Sequence, residues 1–427
     1  MHSKRNHITV FEHEIIRFDK GEKRISENQF KALLTYYGEG TPYYNIVYNG
    51  IQFNHHVGVI QVGDTLIEVL PKSDKCPDSE IEQNRWRGIL VDMMKAVGNF
   101  NFKITGSSLL KIKPNTILDI YIEMFVNEVE YLLHNGLVKK YHKIEGNSLA
   151  LKGSLKFGKH IQKNLAHKER FYVEYTKYDV NHQFNNIIYT AIKLISQINT
   201  NVSLYSRIGA LKLLFPEMSV VKVTEYTFNK LVFDRKTEHY RKPIKIARLL
   251  LLKYHPDITR GRNNVLALMF DMNKLWEQFV FVSIKKFKTS KIVIESKTSK
   301  NFWRQNDCIR SKIIPDIIIN NGKDDCMVLD TKWKNINGNT PSSSDLKQMY
   351  VYQDYFNAKK VALVYPGNKN SVLSGIFLNP FTGRDTEREC SLIQLEVPSL
   401  YNRQNGDIYK WQEEIRREIS DKLKILL

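Results

Sequence analysis

Residues 313–334 read IIPDIIINNGKDDCMVLDTKWK. Two apolar, β-branched runs flank NNGKDD, a set of residues that tolerates tight turns. The pattern predicts one strand over Ile313–Ile319 and a second from Met327 to about Lys334. Side chains on a strand alternate faces. Val328, Asp330 and Lys332 therefore share one face, and Leu329, Thr331 and Trp333 take the other. Paired as a hairpin, the strands bring Asp316 toward the Asp330–Lys332 side. Two carboxylates and an ammonium in one small volume are costly unless a further cation, usually a metal, joins them.

The rest of the chain fixes what such a cluster could serve. Its 427 residues allow two or three domains, and 42% hydrophobic with 26% charged residues is ordinary for a globular protein. No apolar run approaches the roughly twenty residues of a membrane span, and MHSKRNHITVFEHE lacks the apolar centre of a secretory signal. Cys76, Cys308, Cys326 and Cys390 are scattered, without zinc-type pairing. A reducing cytoplasm is the expected location. The formal charge is +19, from 64 Lys and Arg against 45 acids. That excess favours a polyanionic partner, nucleic acid above all. The basic residues recur beside aromatics, as in NFWRQNDCIRSK (301–312) and TEHYRKPIKIARLLLLKYH (237–255), which suits a folded groove along phosphates. The chain has no G-x-x-x-x-G-K-[ST], so hydrolysis of a nucleotide through a P-loop is not expected of it.

Three regions follow from the patterning. Residues 1–107 read as a β-rich N-terminal domain, with VGVIQVGDTLIEVLPK (57–72) a hairpin turning at Gly63-Asp64. Helices are predicted over IEQNRWRGILVDMMKAVG (81–98) and over 117–136, where Gly136 ends the run. Residues 108–262 read as a mainly helical middle, interrupted by a strand at FYVEYTKYDV (171–180). Residues 263–427 read as an α/β core with a mixed sheet. Its expected order is a helix over LALMFDMNKLWEQFVFVSIKKF (266–287), a strand at KIVIES (291–296), the two opening strands, a helix near Asp345 with Ser344 as N-cap, and strands at 359–366 and 392–398. The fold class expected is thus α+β and multidomain.

Phosphodiester hydrolysis needs a hard metal, an activated water and a cation for the charge that develops. Mg²⁺ is bound by a few carboxylates and keeps several waters. Asp316 and Asp330 supply carboxylates, with Glu277 on the preceding helix a candidate third and the Thr331 carbonyl a further candidate ligand. Lys332 stands beside Asp330, where its ammonium can orient or activate water. Gln348 and Tyr352, four apart on the following helix, can orient Lys332 or contact DNA phosphate. This matches the P-D…[DE]-x-K pattern of the restriction-endonuclease-like nucleases. The bare pattern recurs by chance in a lysine-rich chain: Glu295-Ser296-Lys297 and Asp345-Leu346-Lys347 fit it, and Pro77-Asp78 and Pro256-Asp257 repeat the Pro-Asp pair. Only the Asp316–Lys332 set has strands on both halves and helices before and after. The plainer alternatives are an edge-strand ion pair for Asp330 and Lys332, and a solvated surface carboxylate for Glu277. For Gln348 and Tyr352 the plainer alternative is packing and solvent contact.

In order, MNKLWEQFV (272–280), PDIIINN (315–321), MVLDTKWK (327–334) and SSSDLKQMYVY (342–352) resemble the McrC family, the nuclease subunit of McrBC-type restriction systems. GVIQVGDTLIEVLPK (58–72), GSLKFGKHIQKN (153–164) and YDVNHQFNNIIYTAI (178–192) are similar to it too, so the resemblance covers most of the chain. It implies a restriction-endonuclease-like C-terminal core that cuts DNA with Mg²⁺. It also implies an N-terminal part that docks onto a McrB-like AAA+ hexamer. That partner binds and hydrolyses GTP under stimulation and recognises modified double-stranded DNA. Asp316 and Asp330 carry over as metal ligands and Lys332 as the catalytic lysine. Glu277, as a third ligand, and Gln348 carry over less directly. The helical middle is long for the family, which leaves its role open.

Two rival readings remain at this stage. One is a standalone nuclease of repair or recombination, which would cut without partner or GTP; the extra N-terminal domain argues against it. The other is a non-catalytic DNA-binding assembly subunit. An inert fold has no need of so costly a cluster, which argues against that.

Overall fold

A computed structural model gives the fold and describes residues 6–38, 40, 42–71, 79–97, 116–199, 201–255, 265–286, 292–305, 308–334, 336, 340–399 and 407–423. Cys76, the Pro77-Asp78 and Pro256-Asp257 pairs and most of the loop over 335–339 lie outside these residues. The chain divides into two compact units, one of Met1–Ile104 with Thr259–Leu427, the other Thr105–Ile258. The N-terminal and C-terminal parts of the sequence thus share one body.

That body begins with β1 (Asn6–Phe11), β2 (Ile15–Arg17), α1 (Glu27–Gly38), β3 (Tyr44–Val47), β4 (Gly50–Phe53), β5 (His56–Val62), β6 (Thr65–Leu70) and α2 (Glu80–Ala96). The predicted hairpin is present: Val62 pairs with Thr65, and Gly63 takes the positive φ of 57° that a two-residue turn requires. β1 adds to β6 in parallel, while β2, β4 and β3 form a small separate sheet. α2 starts at Ser79, whose side chain accepts from the Glu82 amide. Its Arg87 meets the fully buried Glu68 of β6 through Nε at 2.9 Å.

The second unit holds α3 (Ile117–Asn135), β7 (Lys140–Ser148), β8 (Ser154–Leu155), α4 (Phe157–Asn164), β9 (Phe171–Asp179), α5 (Gln183–Ile198), α6 (Val202–Leu214), α7 (Glu225–Asn229), α8 (Arg241–Leu252) and β10 (Tyr254–His255). α3 and α5 carry its most continuous buried faces, among them Ile122, Phe125, Val126, Ile187, Ile188 and Ile192. The strand expected at 171–180 is β9, paired on one side with β7 and on the other with β8.

The first unit resumes with β11 (Val265–Asp271), α9 (Met272–Lys286), β12 (Ile294–Ser296), β13 (Lys300–Gln305), β14 (Cys308–Ile313), β15 (Ile317–Ile319), β16 (Met327–Thr331), α10 (Ser343–Phe356), β17 (Lys360–Gly367), β18 (Ser371–Leu378), β19 (Asp385–Glu396) and α11 (Asp407–Leu423). Three expectations are corrected here. The single helix expected over 266–287 is a strand followed by a helix. VLALMFD pairs antiparallel with β5 along its whole length, and the Asp271 carboxylate accepts from the Asn273 and Lys274 amides to start α9. A continuous apolar run suits a strand buried on both faces as well as a helix, and a partner some 200 residues earlier decides it. Gly58 allows that pairing, since a Cβ there would lie 2.0 Å from the Leu268 carbonyl oxygen. Next, the strand expected over 313–319 breaks at Ile314–Asp316, because Pro315 offers no amide to a ladder. The residues before the break instead close a β13–β14 hairpin. Finally, α10 is capped by Ser342 rather than Ser344, its Oγ accepting from the Asp345 amide at 3.2 Å.

The second large sheet runs β12-β15-β16-β17-β19-β18. It is mixed: β16, β17 and β19 are parallel to one another, and the other pairings are antiparallel. Strands buried on both faces read as unbroken apolar runs, as in VALVY of β17. α10 covers one face with Met349, Tyr352 and Phe356 against Val328, Val361 and Leu363. The other face meets α9 and α11 through the indoles of Trp276, Trp333 and Trp411. No described helix is long and apolar enough to cross a membrane.

Candidate active site

β16 places Asp330 and Lys332 on the α10 side of the sheet, as the strand alternation predicts. Asp330 is 2% exposed, and its Oδ2 lies 2.6 Å from the Lys332 ammonium. Lys332 also donates to Gln348 Oε1 at 3.1 Å, and its backbone amide extends the ladder to the Val364 carbonyl at 2.9 Å. The Gln348 amide donates to Asp330 Oδ1 at 3.3 Å and to the Tyr352 hydroxyl at 2.6 Å. Tyr352 in turn donates to the Ile314 carbonyl at 3.1 Å, beside the Pro315 break. A continuous chain of hydrogen bonds therefore runs from the strand break through α10 to the Asp330–Lys332 pair. Gln348 spends both ends of its amide on that chain.

Asp316 stands in the break between β14 and β15. Its Oδ2 accepts from the Thr331 amide at 2.7 Å and from Thr331 Oγ1 at 2.8 Å. These bonds hold Asp316 against the end of β16 and leave its other oxygen available. The Thr331 amide and hydroxyl, not its carbonyl, are the groups that meet Asp316, and no local sequence pattern marks them. Glu277, half-buried on α9, makes no hydrogen bond or ion pair among the described residues.

The electrostatics join Glu277 to the others. Burial, then the Asp316 charge, push its carboxyl up from 4.5 to about 7, with Asp330 adding to the effect and Lys297 opposing it. Asp330 is raised from 3.8 to about 6 by burial and by Asp316, against the pull of Lys332. Burial pulls Lys332 down, but Asp330 and its hydrogen bond, with Asp316 and Asp345 behind, leave its ammonium above the ordinary lysine range. Lys332 is thus held as a cation. Tyr352 is pushed up to about 12, mainly by burial, so it remains a neutral donor.

The donor set fits a hard dication. The Asp316 charge helps to raise both Glu277 and Asp330, so the three carboxylates form a negative site that a divalent ion would relieve. Their spacing is loose. Among the described residues, the one His, Cys, Asp or Glu triplet with ligand atoms all within 4.8 Å is elsewhere, at His55, His56 and Asp271. A loose oxygen set suits Mg²⁺, which keeps part of its water shell. Of the rival [DE]-x-K sets, Asp345 is tied to Lys334 at 2.5 Å at the start of α10, and Glu295 accepts from Thr298 and Asn321. Neither gathers a second carboxylate through hydrogen bonds.

The chain is thus a mixed α/β protein with an acidic, lysine-bearing site at the end of a central strand. The family model of the McrBC 5-methylcytosine restriction system component matches residues 51–366. The chain belongs to that family, and the resemblance read from the sequence holds. Among solved structures, a chain of the refined half-complex of the tetradecameric assembly of Thermococcus gammatolerans McrB AAA+ hexamers with bound McrC is similar at TM-score 0.69 and 18% identity, covering 98% of this chain and 100% of that one. A chain of the Thermococcus gammatolerans McrBC complex is similar at TM-score 0.47 and 20% identity, covering 66% of this chain and 88% of that one. No curated protein matches.

Proposed function

We propose that this chain is a McrC-type endonuclease subunit that hydrolyses DNA phosphodiester bonds with Mg²⁺ when bound to a GTP-hydrolysing McrB-type AAA+ hexamer. The observation that carries the reading is the buried Asp330–Lys332 pair, held by Gln348 and faced by Asp316. An inert strand end has no use for a carboxylate whose ionisation burial opposes.

Asp316, Asp330 and Glu277 are the residues to hold Mg²⁺, which when bound supplies Lewis acidity toward a phosphate oxygen and a water of lowered pKa. The remaining roles belong to the protein. Asp330 keeps Lys332 protonated, so Lys332 serves as a fixed positive charge for the phosphorane oxygens and as an orienter of the attacking water. Gln348 fixes the direction of the Lys332 side chain, and Tyr352 fixes Gln348. Glu277 is raised to about 7 in the metal-free protein, so a bound dication would favour its ionised form. The second large sheet with its flanking helices is, in this reading, a restriction-endonuclease-like core.

The division of labour rests on family membership and on the McrB hexamers with bound McrC in the structure of similar fold. The GTP site belongs to the partner, since this sequence has no P-loop pattern. The net charge of +19 suits DNA. In this reading the partner selects modified double-stranded DNA and this chain cuts it and stimulates GTP hydrolysis. The test is cleavage of methylated DNA in Mg²⁺ by the purified chain, with partner and GTP each added or omitted. Cutting only when both are present supports the reading. Cutting by the chain alone would favour a standalone nuclease, and no cutting under any condition a non-catalytic subunit.

A further inference from the structure

A second cluster lies on the rim where β5 meets β11. His55 precedes β5, His56 begins it, and Asp271 ends β11 directly opposite, in register with His56. The backbone fixes this corner twice, since the Met272 amide donates to the His55 carbonyl at 3.0 Å. The two imidazole rings lie 4.6 Å apart at 35°. One ligand atom from each of His55, His56 and Asp271 falls within 4.8 Å of the others, and His55 Nε2 is 3.9 Å from Asp271 Oδ1.

The surroundings are those of a prepared ligand set. His56 is buried, and its Nδ1 lies 2.7 Å from Asn54 Oδ1. With Nδ1 as the donor, that bond fixes the tautomer and leaves the free lone pair on Nε2. A carbonyl or carboxylate behind a ligating imidazole orients it and raises its basicity in the same way. Tyr43 packs edge-on against the His56 ring at 5.4 Å, which restricts its rotation. The His55 and Asp271 side chains are 43% and 20% exposed, so an ion could enter from solvent. The plainer account of Asp271 is its cap on α9. That cap uses hydrogen bonds to Oδ1 at 3.0 and 3.3 Å, and it does not explain two histidines brought against the same carboxylate.

We propose that His55, His56 and Asp271 form a binding site for a first-row transition dication such as Zn²⁺, distinct from the carboxylate site. Two imidazoles and one carboxylate with open positions are borderline-soft donors that prefer such ions to Mg²⁺. The ion would join the loop before β5 to the start of α9, the helix that carries Glu277. The inference does not depend on the nuclease reading.

The experiment is calorimetric titration of the full chain with Zn²⁺ in excess Mg²⁺, followed by thermal unfolding with and without Zn²⁺. Three proteins are compared: wild type, His55→Ala and Asp330→Asn. His55 is the exposed member of the set, so its removal spares the buried core. The proposal expects a Zn²⁺ site in wild type and in Asp330→Asn, weakened at least about tenfold in His55→Ala, the scale of disturbing a metal's ligand shell. It also expects a Zn²⁺-dependent rise in unfolding temperature that His55→Ala lacks. Equal binding by wild type and His55→Ala, loss of binding in Asp330→Asn, or no binding in wild type would each overturn it. Failure there leaves the carboxylate site untouched, and failure of the cleavage assay leaves this site untouched.

Discussion

Replacing Glu277 by Gln separates a member of the carboxylate cluster from an ordinary surface glutamate. Burial and the charges of Asp316 and Asp330 raise Glu277 from 4.5 to about 7. The folded, metal-free protein therefore prefers the protonated acid. A carboxyl raised on folding lends stability that is complete below its unfolded pKa and is lost as pH rises through its folded one. The loss here runs from about pH 4.5 to about pH 7. At roughly 1.4 kcal/mol per pKa unit, a shift of that size in a fully shielded group amounts to about 3 kcal/mol. Glu277 is only half-buried, and solvent screening reduces the figure to about 1–2 kcal/mol. Glu277→Gln carries no such term, so without metal it should unfold later than wild type at pH 8, and the advantage should shrink on acidification toward pH 5. Differential scanning calorimetry in chelator, reading the transition of the unit that contains α9, measures the difference. Added Mg²⁺ should reverse the order, stabilising wild type more than the variant. Equal stability at pH 8, or a variant less stable than wild type, refutes the placing of Glu277 in a repulsive cluster.

Other expectations rest on the same geometry. Gln348→Ala frees Lys332 and Asp330 of their shared partner and should slow DNA cleavage about 10- to 100-fold, the usual cost of an outer-shell residue, while circular dichroism stays unchanged. Protons on Asp330 and Glu277 compete with the metal, so Mg²⁺ affinity by calorimetry should rise from pH 5.5 and level off above pH 8, beyond their values of about 6 and about 7. Trp333 packs against Trp86 and Trp276, and its indole donates to Glu12 at 2.8 Å. Trp333→Ala should therefore cost about 3–5 kcal/mol in denaturant unfolding of that unit.

Much of the site was legible because it is local. Asp330 and Thr331 end one short strand and Lys332 follows it directly, and period-two alternation alone separates their faces. The Gly63 turn, the α3 stop at Gly136 and β9 were likewise set by nearby residues. What could not be read depends on distant partners. VLALMFD could be helix or strand until β5 supplied its pairing. The Pro315 break was visible as a proline. Its use, turning Asp316 toward the Thr331 amide, requires β16 to stop there. The three consecutive serines at the start of α10 are alike as caps in sequence, and only the chain direction selects Ser342. The His55–His56–Asp271 corner joins residues more than 200 apart, and no local pattern announces it.

The central claim is that the Asp316–Asp330–Lys332 cluster cuts DNA. It is tested most directly by reconstituting the chain with its AAA+ partner, GTP, Mg²⁺ and methylated DNA, and comparing wild type with Asp330→Ala. DNA cleavage and GTP hydrolysis are followed in the same reaction. Loss of cleavage with stimulated GTP hydrolysis retained is the predicted result. Cleavage by Asp330→Ala at the wild-type rate would contradict the account and leave these carboxylates a structural feature of the strand end.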